Sequence, residues 1–292
     1  MGKDIKSLRT RIKSFNSTLH LTGAMGLVAS SKIKRAYDAM AASREYSKAI
    51  SDVTNRLASC PECRKSPYFG LPRKTEENED ETKASSCVTR LIVIAGDRGL
   101  CGGYNANIFR TVRDMDYVEI HPVGKRAFAR YREEPGEHDG NDLEEPVYQS
   151  SEYYTYEEAM AEAKNCCEDF LAGRIDRVGI VYNRYVSIIS QEPDVFWILP
   201  LERGTVKGAD AGVFEPSPDE LLDSLVPEYF AGKLFALVKE SFACEVAARR
   251  MAMDSAKKNA QQMIDDLTLE YNRARQGTIT QEITEIVAGA GK

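Results

Sequence analysis

Ile5-Lys-Ser-Leu8-Arg-Thr-Arg-Ile12-Lys-Ser-Phe15-Asn-Ser-Thr-Leu19 places its apolar residues at alternating steps of three and four. That spacing gathers them into one narrow stripe on a helix, the width of a coiled-coil seam. The stripe resumes at Met25 and Val28 and runs on through Ala36, Met40, Ile50, Val53 and Leu57, with no proline between Asp4 and Leu57. About 53 helical residues would extend about 80 Å, wider than a small globular domain. Gly23 and Gly26 interrupt the pattern at a cost of about 1 kcal/mol each relative to alanine. Close approach of a neighbouring backbone would offset that cost.

The other end of the chain repeats the theme. After Pro227 there is no further proline, and Leu234, Val238, Phe242 and Val246 share one side. Ala260, Met263, Ile264, Leu267, Tyr271 and Ala274 continue a stripe, which Ile279, Ile283, Ile286 and Val287 close. Two narrow seams at the two ends of one chain are most economically buried against each other, as an antiparallel coiled coil.

Between the helices the composition changes. Residues 58–87 hold three prolines and the acidic run Glu76-Glu77-Asn78-Glu79-Asp80-Glu81, which reads as a solvated loop. From Val88 the pattern alternates between apolar strand and helical spacing. Strands are expected at 88–95, 118–123, 177–183 and 194–199, with helices at 106–114, 125–133 and 156–172. Alternation of this kind implies a small, mostly parallel α/β sheet. The expected organisation is an N-terminal coiled-coil helix over 1–57, a loop over 58–87, an α/β body over 88–226 and a C-terminal coiled-coil helix over 227–292.

Composition limits the functional classes. The chain is 292 residues long, 42% hydrophobic and 29% charged. It is too apolar for disorder and too charged for an integral membrane protein. Ser14–Ser31, free of Lys, Arg, Asp and Glu, holds six large apolar residues among polar ones and is no bilayer span. No basic-then-apolar leader opens the sequence, so a cytoplasmic location is expected. The net charge of −6 is uneven: residues 1–57 carry eleven Lys/Arg against four Asp/Glu, while residues 228–292 balance nine against nine. A basic segment on an acidic body suggests an acidic partner. Aromatic residues are not interleaved with the basic ones, which disfavours nucleic acid.

Two motifs invite a chemical reading. Gly96-Asp-Arg-Gly99-Leu-Cys-Gly102-Gly103-Tyr-Asn105 lies between a strand and a helix, where phosphate loops occur. It has neither the G-K-[S/T] of a Walker loop nor a G-x-G-x-x-G, so tight turning explains Gly99, Gly102 and Gly103 more simply. Cys60-Pro-Glu-Cys63 is the single C-x-x-C among seven cysteines. A structural zinc site takes four ligands, and the nearest further thiol is Cys87. Reduced, unligated thiols on a loop are expected, with a metal or redox clip as the alternative. His20, His121 and His138 form no evident triad or metal cluster, and neither a cofactor nor a catalytic residue is expected.

Specific residues carry a resemblance. Ile12-Lys-Ser-Phe-Asn-Ser-Thr18, Thr22-Gly-Ala-Met25 and Val28-Ala-Ser-Ser-Lys-Ile-Lys-Arg-Ala36 are similar to the N-terminal helix of the γ subunit of F-type ATP synthases. Asp97-Arg-Gly-Leu-Cys-Gly-Gly-Tyr-Asn105 resembles that family's signature turn. The match continues in Tyr182-Asn-Arg-Tyr-Val, Ser190-Gln191 and Leu199-Pro-Leu201. At the C-terminus it runs through Ser241-Phe-Ala-Cys-Glu, Arg250-Met-Ala-Met253, Tyr271-Asn-Arg-Ala-Arg-Gln276, Ile279-Thr-Gln-Glu282 and Glu285-Ile-Val287. Gly23 stands where the family usually has a lysine, and His20-Leu21 where Lys-Ile is common.

The resemblance implies a rotor shaft, itself non-catalytic. Its paired helices would enter a ring of α and β subunits, and its body would sit on the ε subunit and the membrane c-ring. By position, Met25, Lys32, Lys34 and Arg35 match contacts to an acidic lever on β. Arg275 and Gln276 match a pair that hydrogen-bonds a β-subunit loop, and Ile279, Ile283, Ile286 and Val287 match a tip held in an apolar bearing. A peripheral place on the cytoplasmic face of a bacterial cell membrane follows. A coiled-coil adaptor and a nucleotide-dependent enzyme are the readings from other classes.

Overall fold

The computed structural model describes residues 5–70, 88–115, 119–131, 149–203, 214–215 and 217–290. The acidic run at 76–81, Cys87, His138 and most of the loop expected over 58–87 lie outside them. Among the described residues five α-helices, α1 (Ile5–Ala58), α2 (Tyr104–Arg113), α3 (Lys125–Tyr131), α4 (Tyr156–Leu171) and α5 (Pro218–Ala290), accompany four strands. The strands are β1 (Thr89–Ile94), β2 (Glu119–Val123), β3 (Arg177–Tyr185) and β4 (Gln191–Leu199). The chain divides into two compact units, one comprising Met1–Ser31 with Arg249–Lys292 and the other Lys32–Ala248.

The larger unit is built on the sheet, ordered β2-β1-β3-β4. β1 pairs in parallel with β2 and β3, and β4 returns antiparallel to β3. All six residues of β1 are buried: Leu91–Ile94 form an unbroken apolar run rather than an alternating one, and Arg90 is paired with Glu119 and Asp169. Ile92 and Ile94 point into a core shared with α4 and α5, alongside Phe170, Ile180, Ile198, Leu222, Val226 and Phe230. Leu91, Val93 and Ala95 face the opposite way, against Ile108 and Val112 of α2 and Ala127 of α3. A capping box opens α4: Thr155 accepts from the Glu158 N–H and the Glu158 carboxylate accepts from the Thr155 N–H.

Three details depart from the sequence reading. α5 begins at Pro218, not after Pro227, which lies inside it. An interior proline costs about 3 kcal/mol. Leu222, Val226, Phe230 and Leu234 are fully buried around it, and at about 1.5–3 kcal/mol apiece their burial outweighs that loss. Cys60–Phe69 is not a solvated loop either. Two short 3-10 turns, Glu62–Lys65 and Pro67–Phe69, tuck Cys60, Cys63 and Tyr68 into the core beside Phe170.

The third departure concerns the seam of α1. Val28 and Val53, expected on it, are exposed. The buried positions after Leu8 are Thr22, Gly26 and Ala29, then Ala36, Met40, Ser43, Ser47, Ile50, Thr54 and Leu57. With half-buried Ile12, Phe15, Leu19 and Ile33, these keep strict alternation of three and four. The seam follows the register, through small residues where the large apolar ones drift off it.

In the smaller unit α1 pairs with α5 as an antiparallel coiled coil. Met253, Ala260 and Leu267, seven residues apart, are its buried α5 positions, while Met263 turns outward. Gly26 meets Met253 with a Cβ position 3.5 Å from the Met253 Cβ. Around Gly23 that space is open, so no close approach compensates it.

Candidate functional site

The glycine-rich turn after β1 is organised by one carboxylate. Asp97 accepts from the Lys125 N–H at 3.0 Å, the Ser150 hydroxyl at 2.7 Å, the Ser151 N–H and hydroxyl at 3.2 Å each, and the Glu152 N–H at 3.1 Å. Burial pushes its carboxyl up, but these donors, Ser150 first, outweigh burial and hold it below the ordinary carboxylate range. The Gly96 N–H donates to Asn105 Oδ1 at 2.9 Å, closing the turn on α2. The Gly96, Lys125, Ser151 and Glu152 N–H groups are thus engaged by the protein's own side chains.

The three turn glycines differ in what they require. Gly102 has φ +60°, the left-handed region that favours glycine. A Cβ on Gly99 would lie 2.9 Å from an Arg126 guanidinium nitrogen. Gly103 has only ordinary contact with Asn107 and an unremarkable φ of −81°. Tyr104 then sends its hydroxyl into α5, within 2.8 Å of the Ser241 hydroxyl and donating to the Ser241 carbonyl at 2.9 Å.

Of the basic residues matched to a partner contact, Lys34 and Arg35 are exposed on α1 in the larger unit. Lys32 is paired within that unit, to Glu152, whose backbone N–H is held by Asp97. Met25, in the coiled-coil unit, is half-buried.

The coiled-coil unit also exposes several large apolar side chains among its charged ones. Leu27 is 71% exposed and Val28 57%, and on α5 Ile279, Ile283, Ile286 and Val287 are 45–70% exposed. Arg275 and Gln276 are exposed on the turn before them. Large apolar side chains concentrated this way mark a surface made to be covered.

The thiols of the C-x-x-C are poorly suited to exchange. Burial, with Cys60 beside it and Asp219, Glu62 and Asp223 nearby, pushes Cys63 up to about 11. Burial likewise raises Cys60. The thiolate is the reactive form, so both thiols are suppressed at neutral pH. No group of three or more candidate metal ligands is found among the described residues.

Sequence reasoning missed Asp97, Glu152 and Glu240 as organising residues. Glu240 of α5 is buried, pairs with Arg44 of α1 at 2.7 Å and accepts from the Tyr185 N–H at 2.8 Å. The one available signal was its place on an otherwise apolar helical face, where a carboxylate needs a partner.

A family model described as ATP synthase matches residues 4–291. The ATP synthase gamma chain of Alkaliphilus metalliredigens (strain QYMF) is 36% identical over 302 residues, covering 99% of each chain. That of Desulforamulus reducens is 37% identical over 292 residues, covering 98% of this chain and 97% of its own. Among solved structures, a chain of the Euglena gracilis mitochondrial ATP synthase, in an OSCP/F1/c-ring assembly, aligns with a TM-score of 0.61 at 19% identity. It covers 98% of this chain and 93% of that one, a likeness of fold.

Proposed function

This chain belongs to the family of ATP synthase gamma chains, and from that membership we propose how its geometry serves as the central shaft of a rotary ATP synthase. It is a non-catalytic subunit: it couples ion-driven rotation of the membrane ring to the conformational cycling of the β subunits, where ATP is made or hydrolysed. Its partners are the α and β subunits, the ε subunit and the c-ring.

The observation that carries the reading is the set of large apolar side chains exposed on the coiled-coil unit. Ile279, Ile283, Ile286 and Val287 form the face that turns inside an apolar bearing. Arg275 and Gln276 supply directional, breakable hydrogen bonds to a β-subunit loop; the guanidinium offers several donors in a fixed fork. Met25, Lys34 and Arg35 meet an acidic lever on β. Lys32 stands with them in sequence, but its ammonium serves Glu152. Gly99, Gly102 and Gly103 shape the turn that carries Asp97.

The subunit is peripheral: no helix among the described residues is long and apolar enough to cross a membrane. We place it on the cytoplasmic face of a bacterial cell membrane. The boundaries 1–57, 58–87, 88–226 and 227–292 remain the working division into shaft helix, linker, body and shaft helix. In this division the first turns of α5, Pro218–Val226, pack with the body.

Purification through a tag on this chain tests the reading. Two larger subunits in threefold excess, with ATPase activity, are expected to coelute. Recovery of the chain alone, or with unrelated proteins, would overturn it in favour of an adaptor.

A further inference from the structure

A shaft must turn its body with it. Interdigitated side chains resist rotation sterically, and hydrogen bonds, which weaken steeply with angle, add a directional constraint to that packing. The polar contacts where α5 passes the ends of the strands supply that constraint between helix and body.

Those contacts lie on one side of α5, at Glu240, Ser241 and Cys244. The Ser241 hydroxyl is 2.8 Å from the Tyr104 hydroxyl and accepts from the Asn183 N–H at 3.4 Å. The Cys244 thiol donates to the Asn183 carbonyl at 3.3 Å. Glu240 reaches further. One carboxylate oxygen accepts from the Tyr185 N–H of β3 at 2.8 Å and lies 2.7 Å from an Arg44 guanidinium nitrogen. The other accepts from Arg44 Nε at 3.2 Å. One buried side chain on α5 thus binds both α1 and the sheet.

We infer that Glu240 is the positioning residue that locks the two shaft helices and the sheet into one torsional body, so that torque on α1 or α5 reaches the α/β body without slip. The inference rests on the shaft reading. The Arg44–Glu240 fork resists rotation of one helix against the other, because a bidentate pair is satisfied at one mutual orientation. The bond to the Tyr185 N–H resists rotation of α5 over the sheet.

The test uses the assembled complex in inverted membrane vesicles and on a surface for single-molecule rotation. Glu240→Gln keeps an acceptor for Tyr185 but loses the ion pair. Unloaded ATP hydrolysis is expected to stay within twofold of wild type, ATP-driven ion pumping per ATP to fall at least twofold, and the angular spread of a body-attached probe at each dwell to widen by about half. Arg44→Gln should do the same, and the double variant should be no worse than either single one, because they remove one interaction. Should Glu240→Gln fail to assemble, Arg44→Lys carries the test: it keeps the charge and loses the fork. Wild-type pumping and angular spread in the variant that assembles would overturn the role of Glu240 and leave the shaft reading standing. A wild-type chain that recovers no ATPase complex would overturn the shaft reading itself.

Discussion

The imidazole of His121 is held between two carboxylates: Nδ1 bonds Glu162 of α4, and Nε2 lies 2.9 Å from Glu119, two residues away on β2. A neutral imidazole has one N–H, so two carboxylate partners select the doubly protonated ring. Burial lowers its pKa and so does the nearby Arg90, but Glu162 and Glu119 outweigh them and raise it above 6.5. The stabilisation is complete below about pH 6.5 and is lost as pH rises through the raised value. Glu119 acts oppositely. Its pKa is depressed because bonds from His121 and Arg90 outweigh burial, so its contribution fades as pH falls through the lowered value. Urea midpoints of the chain should decline above pH 6.5, and His121→Gln should flatten that decline. An unchanged profile in the variant would show that this cluster does not set it.

Asp97→Asn should destabilise the body by about 2–3 kcal/mol. It removes a charge that accepts several bonds and turns an amide donor toward other donors. Chemical denaturation measures the loss; a shift below 0.5 kcal/mol would deny Asp97 its organising role.

The glycines divide into removable and obligatory. Gly23→Ala should gain about 0.5–1 kcal/mol, because nothing stands within 4 Å of its Cβ position. Gly124→Ala should cost at least about 2 kcal/mol: φ is +92° and the added Cβ would fall 2.0 Å from the Ala95 carbonyl oxygen. Melting of the two variants should move in opposite directions.

Cys60 and Cys63 should react slowly with a thiol reagent in the native chain at pH 7.5, and more than about 100-fold faster in denaturant, since both burial and the raised pKa suppress the thiolate. Fast native labelling, or a change in the complex's ATPase activity between dithiothreitol and mild oxidant, would restore the redox reading.

Arg275→Ala should leave the melting of the isolated chain within about 0.5 kcal/mol of wild type, as expected for an exposed residue. In the assembled complex it should weaken ATP-driven coupling. Wild-type coupling would remove Arg275 from the contact with β.

The sequence by itself determined the long helices, the α/β body and the family. Each depends on local periodicity or on side chains close along the chain. The step of three and four from Leu8 to Leu57 persists even where Thr22, Gly26 and Ser43 replace large residues, because a seam is fixed by register rather than by bulk. Only the tertiary structure decided that Pro227 stays inside α5, that Cys60 and Cys63 are core residues, and that Glu240 joins Arg44 to Tyr185. In each case the deciding energy comes from partners distant in sequence: apolar surface that outweighs a broken helical bond, or a carboxylate whose burial is tolerated because its partners arrive from two other elements. No pattern along the chain records which partners those will be.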